Sequence, residues 1–415
     1  MNRMTTALGT ALALVLVAGT ASAQVPVAKT SAPAAAPAPQ RQLKLSDKAA
    51  KPIIELQTAV KAKNAAAIPA LVATAEAAAK NQDDRYAIGT MRLQAAIDAN
   101  DSAGLVAAAD VMGANGATAR ETTPIYTFAA QKFSADKNYA AAGNAIDRLI
   151  ATDPSDNDAL LLRSETLMAQ HRMPESIAAL TTAIDRQKAS GQPVPESWYQ
   201  ARVARSYDAK LPSVYGFSRD WVTSNPSPKI WRDTVNIYRN MSGLERAQQI
   251  DMLRLSRATK ALSGESDYSA WANSLINRGY AAEAGVLLQE GIASGTVKAS
   301  SPSIAPLLAV AMAKAPGERA LLIAAGKNAV GAATAKPAML AADGFLDAGE
   351  FAQAATMYRT ALGKPGVDKD VANLRLGEAL IQSGDKAGAM AALQSVGGSQ
   401  VEIAKYWMTF ASLRS

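Results

Sequence analysis

The stretch Pro154–Lys188, PSDNDALLLRSETLMAQHRMPESIAALTTAIDRQK, contains two segments of helical length separated by a short polar break around His171. Apolar residues in each segment recur at the three- and four-residue spacing of an amphipathic helix. In the second segment Ser176, Leu180 and Ala183 follow a 0, 4, 7 spacing, which places a small, a bulky and a small side chain on one helical face. The stretch therefore predicts a helical hairpin.

The same pattern of small and bulky residues returns at regular intervals along the chain. It occurs at Ala142/Ile146/Leu149, Ala284/Leu288/Gly291, Ala354/Tyr358/Ala361 and Ala389/Leu393/Val396, with a weaker instance at Val214/Ser218/Trp221. The pattern repeats after 34 residues from 142 to 176, after 70 from 284 to 354, and after 35 from 354 to 389. We interpret the 70 as two periods with a degenerate hairpin around Pro316–Val330, and we infer an array of repeated helical hairpins.

The rest of the chain predicts the same all-α class. Alanine, the best helix former, dominates long tracts, and only 5% of the residues are aromatic. Segments of about 12–18 residues with helical periodicity end at polar, glycine or proline breaks, and no segment of similar length alternates with a period of two. These breaks include Asn100-Asp101, Gly191-Gln192-Pro193, Pro316-Gly317 and Gly384-Asp385.

These residues resemble the tetratricopeptide repeat, a helical hairpin of 34 residues. Leu160 and Ser164 match the large and small positions of the first helix, Pro154 and Pro226 match the proline that closes the second helix, and Leu376-Gly377 matches the Leu-Gly pair. The resemblance is clear over about 139–188 and 338–396. It implies a right-handed superhelix of stacked antiparallel helix hairpins, with the first helix of each hairpin lining the concave face.

Both ends of the chain differ from the array. Residues 1–23 have the features of a signal peptide: a positive start at Arg3, a short apolar run from Ala7 to Gly19, and Ala21-Ser22-Ala23 before a cleavage site near Ala23/Gln24. A retained membrane anchor is the alternative. Residues 24–42 form a Pro/Ala-rich tract that predicts an extended, disordered tether. We predict diverged hairpins over 43–135, the repeat array over 136–398, and a capping helix over 399–415 that offers Ile403, Trp407 and Phe410 to the last repeat.

The signal sequence predicts a periplasmic or secreted protein, with no membrane span after its removal. The formal charge of +7 would favour anionic partners, but export makes nucleic acid an improbable one. An anionic glycan of the cell envelope is a more natural partner, although a modest excess spread along the chain is also compatible with no such role.

The residues that usually carry catalysis or bind metals are scarce. The chain has no Cys and a single His, His171, which falls in a predicted turn. Nucleophile motifs and glycine-rich phosphate loops are missing, and Asp83-Asp84 and Asp368/Asp370 stand where acids cap helices. We therefore predict no catalytic residue, metal or cofactor and no enzymatic activity, although folding could still bring a carboxylate pair together as in a glycosidase.

One segment, between 198 and 239, combines aromatic and basic side chains. The candidate partner-binding residues there are Trp198, Tyr199, Arg202, Arg205, Trp231, Arg232 and Tyr238. Aromatic and arginine side chains are frequent anchors of binding surfaces. If the segment supplies first helices, Tyr199, Arg202, Arg205 and Arg232 would face the groove. The alternative is that Trp198, Trp231 and Tyr238 fill the large core positions of the repeat.

Two functions fit this sequence. The first is a scaffold or adaptor that binds a protein or peptide partner in its concave groove. The second is a carbohydrate-handling protein that binds or hydrolyses an anionic envelope glycan. A role as a spacer that holds other components through the tether cannot be separated from the first.

Overall fold

The computed structural model describes residues 41–277 and 279–414. These residues form two compact units, and the boundary between them along the chain lies between Val194 and Pro195. We call residues 41–194 unit 1 and residues 195–414 unit 2. Over the described residues the chain is all-α, with one short 3-10 helix and no strand. The predicted all-α fold is confirmed. The predicted signal peptide and all but the last two residues of the tether lie outside the described residues.

Unit 1 is, in its described part, a stack of four hairpins in chain order. The helices are α1 (Asp47–Lys61), α2 (Ile68–Ala78), α3 (Gln82–Asp98), α4 (Ser102–Ala114), α5 (Ala119–Ala135), α6 (Tyr139–Thr152), α7 (Asn157–Ala169) and α8 (Met173–Ala189). Each odd-numbered helix pairs with the next, and α1 also packs on α3 and α5 on α7. The first helices of hairpins one and two, and those of hairpins three and four, therefore lie side by side.

Unit 2 begins with three hairpins and ends with two. The first three use α9 (Glu196–Asp208), α10 (Ser213–Ser224), α11 (Pro228–Met241), α12 (Arg246–Ala258), α13 (Gly264–Asn277) and α14 (Ala281–Ala293). A single long helix, α15 (Ala305–Ala329), follows. The last hairpins use α16 (Lys336–Asp347), α17 (Phe351–Leu362), α18 (Lys369–Ser383) and α19 (Lys386–Gln394), and a 3-10 turn leads into α20 (Val401–Leu413).

Small side chains lie where paired helices cross, as the repeat pattern predicts. In α7 and α8, Ser164 and Ser176 are fully buried, and each hydroxyl donates to the other residue's carbonyl oxygen, at 2.6 and 2.7 Å. In α18 and α19, a Cβ added to Gly377 would lie 2.4 Å from Cγ of Leu393. A larger residue at either crossing would push the helices apart.

The turns inside the hairpins use left-handed backbone. His171 has a φ of +59° and Gly384 a φ of +91°, so the two residues occupy equivalent turns, as the alignment of the repeats predicts. Glycine adopts this conformation without strain, and other residues adopt it far less readily. His171 is exposed and lies in the turn between α7 and α8, as predicted.

The predicted break at Pro316-Gly317 is wrong, because α15 is continuous from Ala305 to Ala329 and there is no hairpin around Pro316–Val330. A proline inside a helix loses one backbone hydrogen bond and costs about 3 kcal/mol. Both halves of α15 pack on neighbouring helices: Ala311 joins the core formed with α14, and Leu322 lies against Gly344 of α16. These contacts offset the proline.

Candidate partner-binding surfaces

The aromatic and basic segment of unit 2 lies largely in the interior. Tyr199 is 1% exposed and accepts a hydrogen bond from the Ser224 hydroxyl at 2.9 Å. Arg202 is 2% exposed, forms an ion pair with Asp220 and lies over the ring of Phe217 at 4.3 Å. These side chains join α9 to α10, which is the partner helix of the same hairpin.

The other predicted binding residues are also engaged within unit 2 or partly covered. Trp231 and Tyr238 of α11 are each 4% exposed. Nε of Arg232 donates to the carbonyl oxygen of Ala261 at 2.8 Å. Trp198 and Arg205 are half-buried.

The C-terminal helix α20 covers this segment. Phe410 meets Trp231 edge to face, with ring centroids 6.1 Å apart, and Tyr406 lies 5.3 Å from Tyr238. The hydroxyl of Tyr406 is 3.1 Å from that of Ser218 in α10. Glu402 pairs with Arg219 at 2.6 Å. Because α20 also packs on α18 and α19, it bridges the first and last hairpins of unit 2.

Buried positions for Trp231 and Tyr238 correspond to the alternative interpretation, in which the aromatic residues fill the core. Trp198 keeps part of its surface accessible. Partner binding by the segment stays a prediction. For Trp231 and Tyr238 it requires that α20 first leave the segment, because α20 packs on both rings.

The centre of unit 2 holds a second feature, a buried set of charged residues that we call the central ion network. Its members are Asp251 and Arg254 of α12, Glu283 of α14, Asp343 and Asp347 of α16, and Arg375 and Glu378 of α18. Arg254 pairs with Asp347, with Glu283 at 3.1 Å and with Asp251 at 3.3 Å. Arg375 pairs with Asp251 at 3.0 Å and with Asp343 at 2.9 Å.

Acids outnumber arginines in the central ion network, and their protonation compensates for this. Burial raises the pKa of Glu378 to about 8, with Asp251 and Glu283 adding to the shift against the opposing charge of Arg254. Burial also raises the pKa of Asp347 well above its usual value. Burial alone would raise the pKa of Glu283 as well, but the guanidinium groups of Arg254 and Arg257 lower it. At neutral pH Glu378 is therefore mostly protonated, which reduces the excess of negative charge in the network.

A cavity of about 610 Å³ lies beside the central ion network. Its wall includes Arg257, Glu283, Glu290, Glu378 and the rings of Tyr268 and Phe351. Arg257 engages Glu283 and Glu290, each at 2.9 Å. Folding thus brings distant carboxyl groups to one cavity, which no local spacing in the sequence indicates. Over the described residues, no cluster of His, Cys, Asp and Glu side chains has the arrangement of a metal site.

Unit 1 also has large apolar side chains that are accessible at its surface. Its exposed large apolar side chains, within the described part of the chain, are Ile54 on α1, Phe128 on α5 and Met168 on α7, with 57%, 40% and 38% of their surface exposed. All three belong to the first helices of hairpins. A cavity of about 480 Å³ lies next to α7, lined by residues of α6 and α7 and by Arg172 and Glu175.

The acidic pairs singled out in the sequence act at helix starts. The carboxylate of Asp84 is fully buried and accepts hydrogen bonds from the backbone nitrogens of Ser46 and Lys80, both at 2.8 Å. Asp368 accepts from the backbone nitrogens of Asp370 and Val371, both at 3.1 Å, at the start of α18. Both acids therefore have the capping role that the sequence predicts.

Stacked hairpins with small residues at their crossings define a helical repeat protein. Residues 129–193 and 339–398 match the model of the tetratricopeptide repeat family, which confirms the resemblance predicted over about 139–188 and 338–396. Over these two regions the chain belongs to the tetratricopeptide repeat superfamily. Over the described residues, no helix is both long and apolar enough to cross a membrane.

Two solved structures show similarity at low identity. The structure of Naa15/Naa10 bound to HypK-THB is 12% identical, with 86% of this chain and 70% of that chain covered, at a TM-score of 0.25. The APC/C hetero-tetramer Cut9–Hcn1 is 10% identical, with 86% of this chain and 66% of that chain covered, at a TM-score of 0.20. Scores this low say nothing about the partners of this chain. No curated protein sequence matches it.

Proposed function

We propose that the protein is an exported scaffold or adaptor that binds a protein or peptide partner on the face formed by the first helices of unit 1. One observation carries the proposal: Ile54, Phe128 and Met168, the large apolar side chains that unit 1 exposes, all lie on first helices. In the tetratricopeptide repeat family these helices line the concave face. Apolar anchors on such a face supply contact area that a partner can remove from water.

The fourth hairpin adds detail to this face. Asp158, Leu161, Glu165 and Met168 follow a spacing of three, four and three residues, so they form one stripe along α7. Asp158, Glu165 and Met168 are exposed, while Leu161 is half-buried. A stripe that mixes apolar and acidic groups favours an apolar peptide with basic residues at its edge.

Site-specific photo-crosslinking in intact cells tests the proposal. A photoreactive amino acid at Met168 should give a discrete protein adduct, and the substitution Phe128→Glu in the same chain should abolish it. The control position is Thr182, which is exposed on the second helix α8 of the same hairpin. Identical adducts from 168 and 182, or an adduct insensitive to Phe128→Glu, would contradict a binding face on the first helices.

The export part of the proposal rests on the features of residues 1–23. N-terminal sequencing of the protein recovered from the periplasm or the medium should begin near Gln24. Full-length protein recovered from the cytoplasm would contradict it.

A carbohydrate-handling role is the second candidate. The cavity that places Glu283 and Glu378 in one wall beside Tyr268 and Phe351 favours it. Purified protein should then be retained on peptidoglycan or an acidic polysaccharide in a salt-sensitive manner. No retention at low salt would exclude this candidate and leave the scaffold.

A further inference from the structure

The long helix α15 of unit 2 exposes an apolar face. Of the large apolar side chains exposed in the described part of the chain, six of ten fall between 310 and 340. They are Val310, Met312, Leu321, Ile323, Val330 and Leu340, with exposures from 39% to 73%. Folded proteins in water seldom concentrate apolar surface in this way unless it serves an interaction.

The opposite side of α15 accounts for its place in the fold. Ala311 packs in the core of α13 and α14, and Gly326 lies against Phe345 of α16. The carboxylate of Glu318 accepts hydrogen bonds from the backbone nitrogens of Ala281 and Ala282, at 3.3 and 2.8 Å, at the start of α14. Of the exposed apolar residues of α15, Met312 also touches α14, where its Sδ lies 3.4 Å from Nε2 of Gln289.

On the exposed side of α15 a strip of small residues lies between two pairs of larger apolar residues, and we call this strip the trough. Val310 and Leu321 are eleven residues apart, as are Met312 and Ile323, and eleven residues are close to three helical turns. Each pair therefore forms a ridge along the helix. Between the ridges lie the small, exposed residues Ala309, Ala313, Gly317, Ala320 and Ala324. A floor of small residues between apolar ridges lets the axis of a second helix approach closely.

The charges around the trough are basic. Between Glu290 and Asp343 the sequence has a single acid, Glu318, against the five bases Lys298, Lys314, Arg319, Lys327 and Lys336. Glu318 caps α14, and Arg319 pairs with Glu350 at 2.7 Å. Lys314 and Lys327 of α15 are exposed and have no ion-pair partner within the described residues. A second copy of this face would bring lysine against lysine, which is unfavourable.

We propose that the outer face of α15 is a docking site for an amphipathic helix of a partner protein, with apolar residues on one side and acidic residues along its edges. Apolar side chains of the partner would fill the trough, and its carboxylates would meet Lys314 and Lys327. The site is independent of the face proposed on unit 1, so that either can fail without the other. Together they would let the chain hold two proteins at once.

Fluorescence anisotropy with a designed probe tests this proposal on the purified full chain. The probe is a labelled amphipathic helix of about 20 residues, with leucine on one face and glutamate on the other. Binding should weaken at least about tenfold in the double variant Leu321→Ser/Ile323→Ser, because the apolar ridges lose their tips. The control, Tyr207→Ser, removes an exposed apolar group from α9 and should bind as the wild type does.

Charge reversal provides the second arm. The same peptide with lysine in place of glutamate should bind the wild type weakly and the Lys314→Glu/Lys327→Glu variant better. Equal binding of both peptides to the wild type would overturn the proposed acidic partner, and binding unaffected by Leu321→Ser/Ile323→Ser would overturn the site. Two further outcomes would reassign the face: loss of binding to phosphatidylglycerol vesicles alone would indicate a membrane surface, and loss of self-association alone would indicate a second copy.

Discussion

Units 1 and 2 are built from similar hairpins but stabilise their centres in different ways. Unit 1 repeats one packing scheme, in which small residues such as Ala142 and Ser176 sit at helix crossings and apolar clusters fill the spaces between hairpins. Unit 2 keeps the crossings but places charged residues and the helix α20 at its centre. The pattern of small and bulky residues therefore specifies the hairpin. A few residues outside that pattern specify what the hairpins enclose.

The largest expected effect is that of Arg254→Met, at the centre of the ion network. Removing this guanidinium leaves the carboxyl groups of Glu283, Asp347 and Glu378 buried without their shared counter-charge. The loss in free energy of unfolding should be about 3–5 kcal/mol. Urea unfolding should show that the change affects unit 2 and spares unit 1. Arg92→Met, which breaks an exposed pair with Glu76 in unit 1, is the control and should cost less than about 1 kcal/mol.

The next effect concerns α20. Trp407 is fully buried, and Trp407→Ala should destabilise unit 2 by about 3–4 kcal/mol through lost burial and a cavity. Thermal unfolding followed by circular dichroism measures it, with the exposed Ser412→Ala of the same helix as the control. If the tryptophan variant unfolds like the wild type, α20 does not complete the core of unit 2.

A pair of substitutions tests whether the two units share one repeat code. Ala142→Leu in unit 1 and Ala354→Leu in unit 2 both enlarge a fully buried crossing residue, and each should cost about 1–3 kcal/mol by overpacking. Thr356→Leu, on the exposed side of α17, should cost much less. A tolerated leucine at 354 combined with a costly one at 142 would show that the crossings of the two units are not equivalent.

The smallest effect depends on pH. The folded-state pKa of Glu378 is raised to about 8, above the usual value of 4.5, so the folded state holds a proton that the unfolded state releases. The stability linked to this proton is complete below about pH 4.5 and is lost as the pH rises through about 8. Between pH 7 and pH 9, Glu378→Gln should therefore gain stability relative to the wild type, on the order of 1 kcal/mol.

Urea titrations at pH 5, 7 and 9 would measure the effect of Glu378→Gln. The raised pKa of Asp347 should leave part of the pH dependence in the variant. Glu290→Gln serves as the control, because Glu290 lies at the exposed edge of the same cavity. A variant with the same pH dependence as the wild type would contradict a buried, protonated Glu378.

Local patterns in the sequence were sufficient to predict the hairpins. The 0, 4, 7 pattern identified Ser176 and Ala354 as crossing residues, and the alignment of repeats placed His171 in the same turn as Gly384, because both features depend on neighbours within one hairpin. Pro316 misled the prediction. The cost of one proline inside the helix is offset by packing on α14 and α16, and this packing involves residues far from Pro316 in the chain.

The candidate sites depended even more on distant contacts. Arg254 pairs with Asp347, which lies 93 residues further along the chain, and Arg375 pairs with Asp251, which lies 124 residues away. No local spacing in the sequence therefore predicts the ion network. The segment from 198 to 239 has the composition of a binding surface, yet the same composition suits an internal surface on which α20 packs. Composition alone could not show whether the partner of these aromatic residues is another molecule or the same chain.

The position of α20 along the chain also has a consequence for biosynthesis. Ser218 and Tyr406 are neighbours in the folded unit but are separated by 188 residues. At a synthesis rate of about 5–20 residues per second, roughly 10 to 40 seconds pass between the synthesis of α10 and that of α20. Unit 1, whose helices contact only near neighbours in sequence, can fold as it emerges. Unit 2 cannot cover Trp231 and Tyr238 as in the folded structure until its last helix is made.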